Sequence, residues 1–169
     1  MGVEIERKFL VKNDGWRAAA TGEGTRIRQG YVATSGGVTV RVRVAGKSGF
    51  LALKGPSRGF ARAEFEYEIP VEDAEGILAG MCTGLVLEKR RWRVPATEGG
   101  LVWEVDVYEG ANAPLVTAEI ELPDEGTVFR RPAWLGEEVS GVARYRNSEL
   151  AVHPHGEWKG ACRESLRRG

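Results

Sequence analysis

The sequence predicts a mainly β (α+β) fold, a closed eight-stranded antiparallel barrel with a few flanking helices. Polar and apolar residues alternate with a period of two along much of the chain, as expected for strands that show a different face to each side of a sheet. Glycine-rich turns separate these stretches, so neighbouring strands can pair as hairpins. Charged residues also recur as like-signed pairs on one face of most strands.

Eight alternating stretches are the predicted strands. They cover residues 3–11, 26–33, 38–45, 50–54, 62–69, 87–94, 101–108 and 115–122. Tight turns are supplied by Gly36-Gly37, by the segment 46–49 and by Gly99-Gly100. Eight strands suffice to close an antiparallel barrel whose interior holds a small ligand.

Three short helices are predicted around the barrel. The first, residues 71–82, follows Pro70 and carries acidic residues in its first turn, where the helix dipole favours them. The second covers residues 140–151, with Ser140 as its N-cap. Residues 16–20 form the third.

The length of the chain predicts its domain organisation, and its charge balance predicts which partners it lacks. A chain of 169 residues is expected to form one domain, here residues 1–152, followed by a polar, mobile tail over residues 153–169. That tail contains the only histidines, His153 and His155. Basic and acidic residues balance at 24 each, so we expect neither a nucleic-acid partner nor a membrane partner.

The cysteines and the apolar segments indicate the compartment. Cys82 and Cys162 belong to no C-x-x-C pair, so both are expected to be reduced thiols that bind no zinc. No segment resembles a signal peptide, and no apolar run reaches the roughly 20 residues that span a bilayer. We therefore expect a cytoplasmic protein.

Charged residues share one face of nearly every predicted strand, because residues i and i+2 of a strand point to the same side. The groups are Glu4 with Glu6 and Lys8, Arg41 with Arg43, Lys54, Glu64 with Glu66, Lys89 with Arg91, Glu104 with Asp106, and Glu119 with Glu121. Alternation alone would also fit an antiparallel sandwich with these faces in water. In that case, however, mixed polar residues would be more usual than like-signed pairs.

Like-signed pairs repel, so each kind of pair requires a counter-charge. The carboxylate pairs Glu4/Glu6 and Glu119/Glu121 suit a hard divalent cation. Pairs of basic residues suit a polyanion, because arginine matches phosphate oxygens in bidentate fashion. With these faces inward the barrel becomes a polar tunnel, whose apolar outer face must be covered by helices or by a partner subunit. Outer surface left uncovered would favour a homodimer.

The opening segment carries an E-x-E-x-K motif, which resembles that of the CYTH superfamily, also called triphosphate tunnel metalloenzymes. Further segments resemble the family in order: Gln29-Gly30-Tyr31, Arg41-x-Arg43, Lys54, Glu64-x-Glu66, Lys89-x-Arg91, Glu104-x-Asp106, Glu119-x-Glu121 and Arg144-Tyr145-Arg146-Asn147. The resemblance extends from residue 1 to about residue 152, and short stand-alone bacterial members are the most similar.

This resemblance implies an eight-stranded tunnel, a small-molecule triphosphate substrate and Mg²⁺ or Mn²⁺, with two ions expected. The bacterial branch includes inorganic triphosphatases. Because the superfamily also contains class IV adenylate cyclases and thiamine triphosphatases, the barrel alone does not fix the reaction.

Roles follow for the individual residues. Metal binding is assigned to Glu4, Glu6, Glu119 and Glu121. Phosphate binding and charge neutralisation during catalysis are assigned to Lys8, Arg41, Arg43, Lys54, Lys89 and Arg91. Tyr31 is a further catalytic candidate that could equally serve packing, and Arg144 is expected to reach the substrate from the helix that closes one tunnel end. The remaining carboxylates, Glu64, Glu66, Glu104 and Asp106, are expected to orient the basic residues.

The predicted reaction is metal-dependent hydrolysis of inorganic triphosphate to pyrophosphate and phosphate. One alternative is hydrolysis of nucleoside or thiamine triphosphates, and another is cyclisation of ATP, for which the sequence offers no adenine pocket. A third is a non-catalytic polyphosphate-binding module, which would have no need of the carboxylate pairs.

Overall fold

The computed structural model describes residues 2–97 and 99–158, and eight of its strands form a closed antiparallel barrel. The strands are β1 Gly2–Val11, β2 Thr21–Ser35, β3 Val38–Ala45, β4 Ser48–Lys54, β5 Ala61–Ile69, β6 Thr83–Pro95, β7 Val102–Tyr108 and β8 Val116–Glu121. Their order around the barrel is β1-β5-β4-β3-β2-β6-β7-β8, and β8 pairs with β1 again. The predicted fold class is confirmed.

Strand β1 closes the barrel, because its two halves use different neighbours. Its first half pairs with β5, where Glu4 lies opposite Arg62. Beyond that point it pairs with β8, where Glu6 lies opposite Glu121 and Lys8 opposite Glu119. A ninth strand that the sequence did not predict, β9 Leu135–Glu138, pairs with the end of β1.

The main apolar core lies outside the barrel, against the outer faces of β1, β6, β7 and β8. Phe9 and Trp103 are both fully buried there, with ring centroids 5.6 Å apart in an edge-to-face arrangement. Trp92 packs beside them against Trp16, which lies in a 3-10 turn spanning Asp14–Ala19. Full burial of a large apolar side chain such as Phe9 contributes roughly 1.5–3 kcal/mol to the free energy of folding. Tryptophans therefore stabilise the outside of the barrel while charges line its inside.

Helix α1, Val71–Gly80, covers part of the remaining outer face. It packs on β3 and β4, with Leu78 and Ala74 buried against Val42. Gly49 permits this close approach, since a Cβ there would lie 2.8 Å from the Cβ of Ala74. The helix ends at Gly80, two residues before its predicted end at Cys82. Cys82 itself is a half-buried free thiol.

The single helix predicted over residues 140–151 is wrong. The chain instead forms a 3-10 turn, Ala143–Tyr145, and one helical turn, α2 Asn147–Leu150. Ser140 is no N-cap, because its hydroxyl accepts a hydrogen bond from the backbone N–H of Lys8 at 2.9 Å. Attachment to β1 therefore overrides the helical pattern in this segment.

The segment His153–Trp158 packs against the barrel, so a mobile tail does not begin at His153. His155 is buried, and the ring of Trp158 lies 4.7 Å from it and 5.2 Å from that of Tyr145. Residues 159–169, with Cys162, lie outside the described residues. Among the described helices, none is long and apolar enough to cross a membrane.

Candidate functional site

The barrel encloses a cavity of about 550 Å³ that is lined mainly by charged side chains. Nine cationic side chains of the described chain face it: Lys8, Arg41, Arg43, Lys54, Arg62, Lys89, Arg91, Arg93 and Arg146. Seven carboxylates face it too: Glu4, Glu6, Glu64, Glu66, Glu104, Glu119 and Glu121. The inward orientation excludes the sandwich with solvated charged faces.

All six predicted phosphate-binding residues and all four predicted metal-binding carboxylates line this one cavity. Strand pairing produces the arrangement, because each strand contributes alternate side chains to the interior and β1 places its set beside that of β8. Two further cations that lie on strands, Arg62 and Arg93, were not predicted. Each lies two positions from a predicted inward residue on the same strand, so the parity rule could have found both.

A buried ion-pair network joins β1, β6, β7 and β8. Lys8 Nζ lies 2.8 Å from Glu119 Oε1 and donates to the backbone carbonyl of Tyr145 at 3.0 Å. The other oxygen of Glu119 accepts from Arg91 at 3.0 Å. Although burial opposes its ionisation, Lys8 and Arg91 hold the pKa of Glu119 well below the usual range. Glu119 is therefore ionised and held by two cations.

Glu4 is likewise held by two cations. Lys54 Nζ lies 3.0–3.1 Å from both of its carboxylate oxygens, and Arg62 Nε lies 3.0 Å from Oε2. Although burial opposes its ionisation, Lys54 and Arg62 lower the pKa of Glu4 to about 2. Its carboxylate is consequently negative, and both oxygens are already hydrogen-bonded.

Glu6 and Glu121, which lie opposite each other on β1 and β8, lack such partners. Neither carboxylate makes an ion pair or side-chain hydrogen bond within the described part of the chain. Burial, reinforced by the carboxylates of Glu119 and Glu4, raises the pKa of Glu6 to about 8. Burial, then Glu4 and Glu104, raises the pKa of Glu121 as well. Within the described residues the fold therefore supplies no counter-charge for this pair inside the cavity.

The remaining carboxylates each contact the basic residues. Asp106 is fully buried and bonds Lys89 at 2.6 Å and Arg91 at 2.7 Å. On the opposite wall, Glu66 lies 2.6 Å from Arg41 and 3.0 Å from Arg43. Glu64 bridges Lys54 and Arg41, at 3.2 and 3.6 Å, and Glu104 bonds Arg91. These contacts fix the directions in which the cations point.

Tyr31 both lines the cavity and packs in a second apolar cluster. Its hydroxyl accepts a hydrogen bond from Gln29 Nε2 at 3.1 Å, and its ring belongs to the apolar cluster around Tyr145. Burial raises the pKa of this hydroxyl, so it stays protonated and can donate. Tyr31 can therefore pack in the apolar cluster and also donate a hydrogen bond into the cavity, so the packing role and the catalytic role left open by the sequence are compatible.

The structure places Arg144 outside the cavity, contrary to expectation. Its guanidinium stacks on the rings of Trp158, at 4.5 Å, and Tyr145, at 5.2 Å. Arg146 lines the cavity instead and makes no ion pair within the described residues. The segment forms turns, so strand parity could not distinguish between the two arginines.

Three aromatic residues of the described chain, Tyr31, Tyr145 and Phe60, also line the cavity. Tyr31 and Tyr145 are buried, while Phe60 exposes 41% of its surface. The guanidinium of Arg7 lies 4.7 Å from the Phe60 ring and competes for its face. A nucleotide base thus meets at most one accessible ring.

The donor set fits a hard divalent cation, although the site is not preassembled. Within residues 2–97 and 99–158, no three carboxylate, thiolate or imidazole groups are grouped closely enough to hold a metal. The cause is visible in the ion pairs, because Glu4 and Glu119 are turned towards cations while Glu6 and Glu121 are free of them. A divalent ion would relieve the repulsion at Glu6, and carboxylate oxygens are the ligands it prefers.

Comparison with known proteins identifies the family of this chain. The model of the CYTH domain family matches residues 2–150. An inorganic triphosphatase of Acetivibrio thermocellus is 46% identical over 159 residues, which cover 94% of this chain and 99% of that protein. An inorganic triphosphatase of Nitrosomonas europaea is 37% identical, covering 88% and 97%. A crystal structure of an inorganic triphosphatase has a TM-score of 0.62 at 34% identity, covering 90% and 96%. This chain belongs to the CYTH domain family.

Proposed function

We propose that the protein is a metal-dependent triphosphatase that hydrolyses inorganic triphosphate to pyrophosphate and phosphate. The observation that carries the proposal is that one cavity holds nine cationic side chains of the described residues together with the carboxylates Glu6 and Glu121, which have no ion-pair partner among those residues. A polyanion alone would not need those carboxylates, and a metal alone would not need the cations. The two relatives that are 46% and 37% identical are both named inorganic triphosphatases.

The basic residues would bind the phosphate chain and neutralise the leaving group. Arginine forks from Arg41, Arg43 and Arg91 suit paired phosphate oxygens, and their carboxylate partners keep the forks oriented before substrate arrives. Lys8, Lys54 and Lys89 add charge around the chain. Protonated Tyr31 can donate a further hydrogen bond.

The metal is proposed to be Mg²⁺ or Mn²⁺, with two ions held by Glu4, Glu6, Glu119 and Glu121. When bound, such ions supply charge neutralisation of the phosphates and a more acidic water for in-line attack. One of the carboxylates that line the cavity would accept the proton of the attacking water.

Substrate choice is tested by kcat/KM for inorganic triphosphate and ATP at matched free Mg²⁺ or Mn²⁺. We expect inorganic triphosphate to exceed ATP by at least about tenfold, or about 1.4 kcal/mol in transition-state binding. A terminal phosphate gains charge-assisted hydrogen bonds of roughly 1.5–3 kcal/mol each, whereas a base stacked on Phe60 would gain about 1–3 kcal/mol in total.

The same assay separates the alternatives. Thiamine triphosphate and longer polyphosphates complete the panel, and product analysis distinguishes phosphate release from cyclic AMP. Equal or greater efficiency on ATP, or formation of cyclic AMP, would contradict the proposed substrate. Absence of any turnover alongside tight phosphate binding would indicate a binding module.

Arg146 and Arg144 provide a matched pair of variants, because they lie two residues apart and only Arg146 lines the cavity. Arg146→Gln is expected to raise KM for triphosphate about tenfold, since it removes one charge-assisted contact. Arg144→Gln should leave KM within about twofold and instead lower the melting temperature, because it removes stacking on Trp158. Initial-rate kinetics and thermal unfolding measure both, and the reverse pattern would restore the sequence-based assignment of Arg144.

We further propose a cytoplasmic homodimer that binds neither nucleic acid nor membranes. An uncovered apolar strip on the outer faces of β4 and β5 supports self-association, with Leu53 beside Phe65 and with Tyr67 exposed. Light scattering over a range of protein concentrations should give twice the monomer mass. The monomer mass at all concentrations would argue against the dimer.

A further inference from the structure

Arg62 differs from the other cations that hold the proposed metal ligands. Its Nε lies 3.0 Å from Glu4 Oε2, and Glu4 is its only carboxylate partner among the described residues. Lys54, the other cation on Glu4, is shared with Glu64 at 3.2 Å. Of the two cations bound to Glu4, only Arg62 therefore has no other carboxylate partner among the described residues.

The position of Arg62 allows it to leave, whereas the cations on Glu119 are fixed. Lys8 is anchored to the carbonyl of Tyr145, and Arg91 is anchored to Asp106 through two bonds. The Arg62 side chain is 30% exposed, against 7% for that of Lys54. A partly hydrated guanidinium with one partner can exchange that partner at lower cost than a buried one with several.

Arg62 and a metal ion compete for the same oxygen. Oε2 of Glu4 accepts from both Lys54 and Arg62, which occupies its two lone pairs, so a cation can use Oε2 only after one of these two side chains has moved. A phosphate chain offers the guanidinium a bidentate anion in exchange. Phosphate binding would thereby free a carboxylate oxygen that a metal ion can use.

We propose that Arg62 is a positioning residue that withholds Glu4 from the metal until a phosphate chain takes up its guanidinium, so that metal and triphosphate bind with positive coupling. This inference rests on the proposed function and adds that the phosphate chain must engage Arg62 before the metal can use Glu4 fully. Metal alone binds weakly, and either ligand strengthens the other by the same factor, as linkage requires.

The test measures Mn²⁺ binding to the metal-free full-length protein by electron paramagnetic resonance, with and without imidotriphosphate, a non-hydrolysable triphosphate analogue. Arg62→Gln is expected to tighten Mn²⁺ binding in the absence of the analogue by at least about threefold, and to reduce the gain that the analogue brings by a similar factor. The specific result would be that this variant, which has one positive charge fewer, also shows weaker coupling between Mn²⁺ and the analogue. Arg62→Lys, which keeps a charge near Glu4, should stay closer to the wild type.

Arg93→Gln controls for the general loss of positive charge in the cavity. Arg93 also lines the cavity, but it lies 3.7 Å from Glu104 and contacts none of the four proposed ligands within the described residues. Its Mn²⁺ affinity should change less than that of Arg62→Gln. In a Glu4→Gln background, Arg62→Gln should have no effect on Mn²⁺ binding, because the contested carboxylate is gone.

The outcomes separate this inference from the proposed function. If the wild type binds Mn²⁺ more tightly with the analogue but Arg62→Gln behaves like Arg93→Gln or binds Mn²⁺ more weakly, the role of Arg62 is refuted while the triphosphatase proposal stands. If the wild type binds no Mn²⁺ even with the analogue, both fail.

Discussion

Glu6→Gln is expected to reduce kcat for triphosphate hydrolysis by at least about a hundredfold while stabilising the metal-free protein. The variant removes a carboxylate assigned to the metal but preserves the side-chain volume. It also removes a carboxyl group whose ionised form the fold disfavours, because burial and the neighbouring Glu119 and Glu4 raise the pKa of Glu6 to about 8. Loss of activity with gain of stability would mark a functional rather than a structural carboxylate.

The stability effect of Glu6 depends on pH in a defined direction. Its pKa rises from 4.5 to about 8 on folding, so between these values the folded state binds the proton and the unfolded state does not. The stability from this group is present below about pH 4.5 and is lost as pH rises towards 8. Glu6→Gln should therefore match the wild type near pH 4.5 and exceed it by at least about 1 kcal/mol near pH 8, since one pKa unit corresponds to about 1.4 kcal/mol.

Urea unfolding of metal-free protein between pH 5 and pH 8 measures this difference, and phosphate release measures activity. Glu68→Gln is the matched control, because Glu68 lies on β5, is exposed and does not line the cavity. It should change neither quantity. Near-normal activity of Glu6→Gln would remove Glu6 from the metal site, and a stability difference independent of pH would contradict the raised pKa.

The cavity lining was largely predictable because strand parity has a period of two. Once Glu4, Glu6 and Lys8 share a face, only the choice between inside and outside remains, and the repulsion of like charges favours an enclosed counter-ion. The tryptophans agree, since Trp103 has the opposite parity and is buried outside the barrel. Arg62 follows the same parity, because it lies two positions before the inward-facing Glu64 on β5.

Strand ends and turns were not predictable in the same way. Strand β2 begins five residues before its predicted start, because Gly22 and Gly24 adopt positive φ and the pairing with β6 shifts register between Thr21 and Thr25. Glycines in such bulges look like a loop in the sequence. Strand β9 has only four residues, too few for alternation to be visible.

The continuous helix predicted for the segment that carries Arg144 and Arg146 does not form, because tertiary hydrogen bonds hold the segment in another conformation. The N–H of Val139 donates to the carbonyl of Lys8, and the Lys8 ammonium donates to the carbonyl of Tyr145. These bonds hold the segment against β1 and stop a continuous helix from forming. Nothing local in the sequence encodes these bonds, so the helical pattern predicted a continuous helix, and the resemblance alone did not distinguish Arg146 from Arg144.

Arg91→Gln is expected to have the largest effect of any single variant on both stability and activity. Arg91 donates to Asp106 through two bonds of 2.7 Å, to Glu119 at 3.0 Å and also to Glu104. Breaking such a buried network leaves carboxylates undercompensated, at a cost of about 3–5 kcal/mol in unfolding free energy. An arginine that neutralises a transferring phosphoryl group is worth about 10³-fold or more, so we expect kcat/KM to fall by about 10³.

A second substitution separates the two effects. In Arg91→Gln/Asp106→Asn the buried negative charge of Asp106 is removed together with its partner, so much of the lost unfolding free energy should return. Activity should not return, because the guanidinium that contacts phosphate is still missing. Arg90→Gln is the control, since Arg90 points outwards and donates to the backbone carbonyls of Glu23 and Gly24. Its kcat/KM should stay within about twofold of the wild type. If the double variant recovered activity along with stability, Arg91 would have only a structural role, and phosphate binding would fall to the cations of β1, β3 and β4.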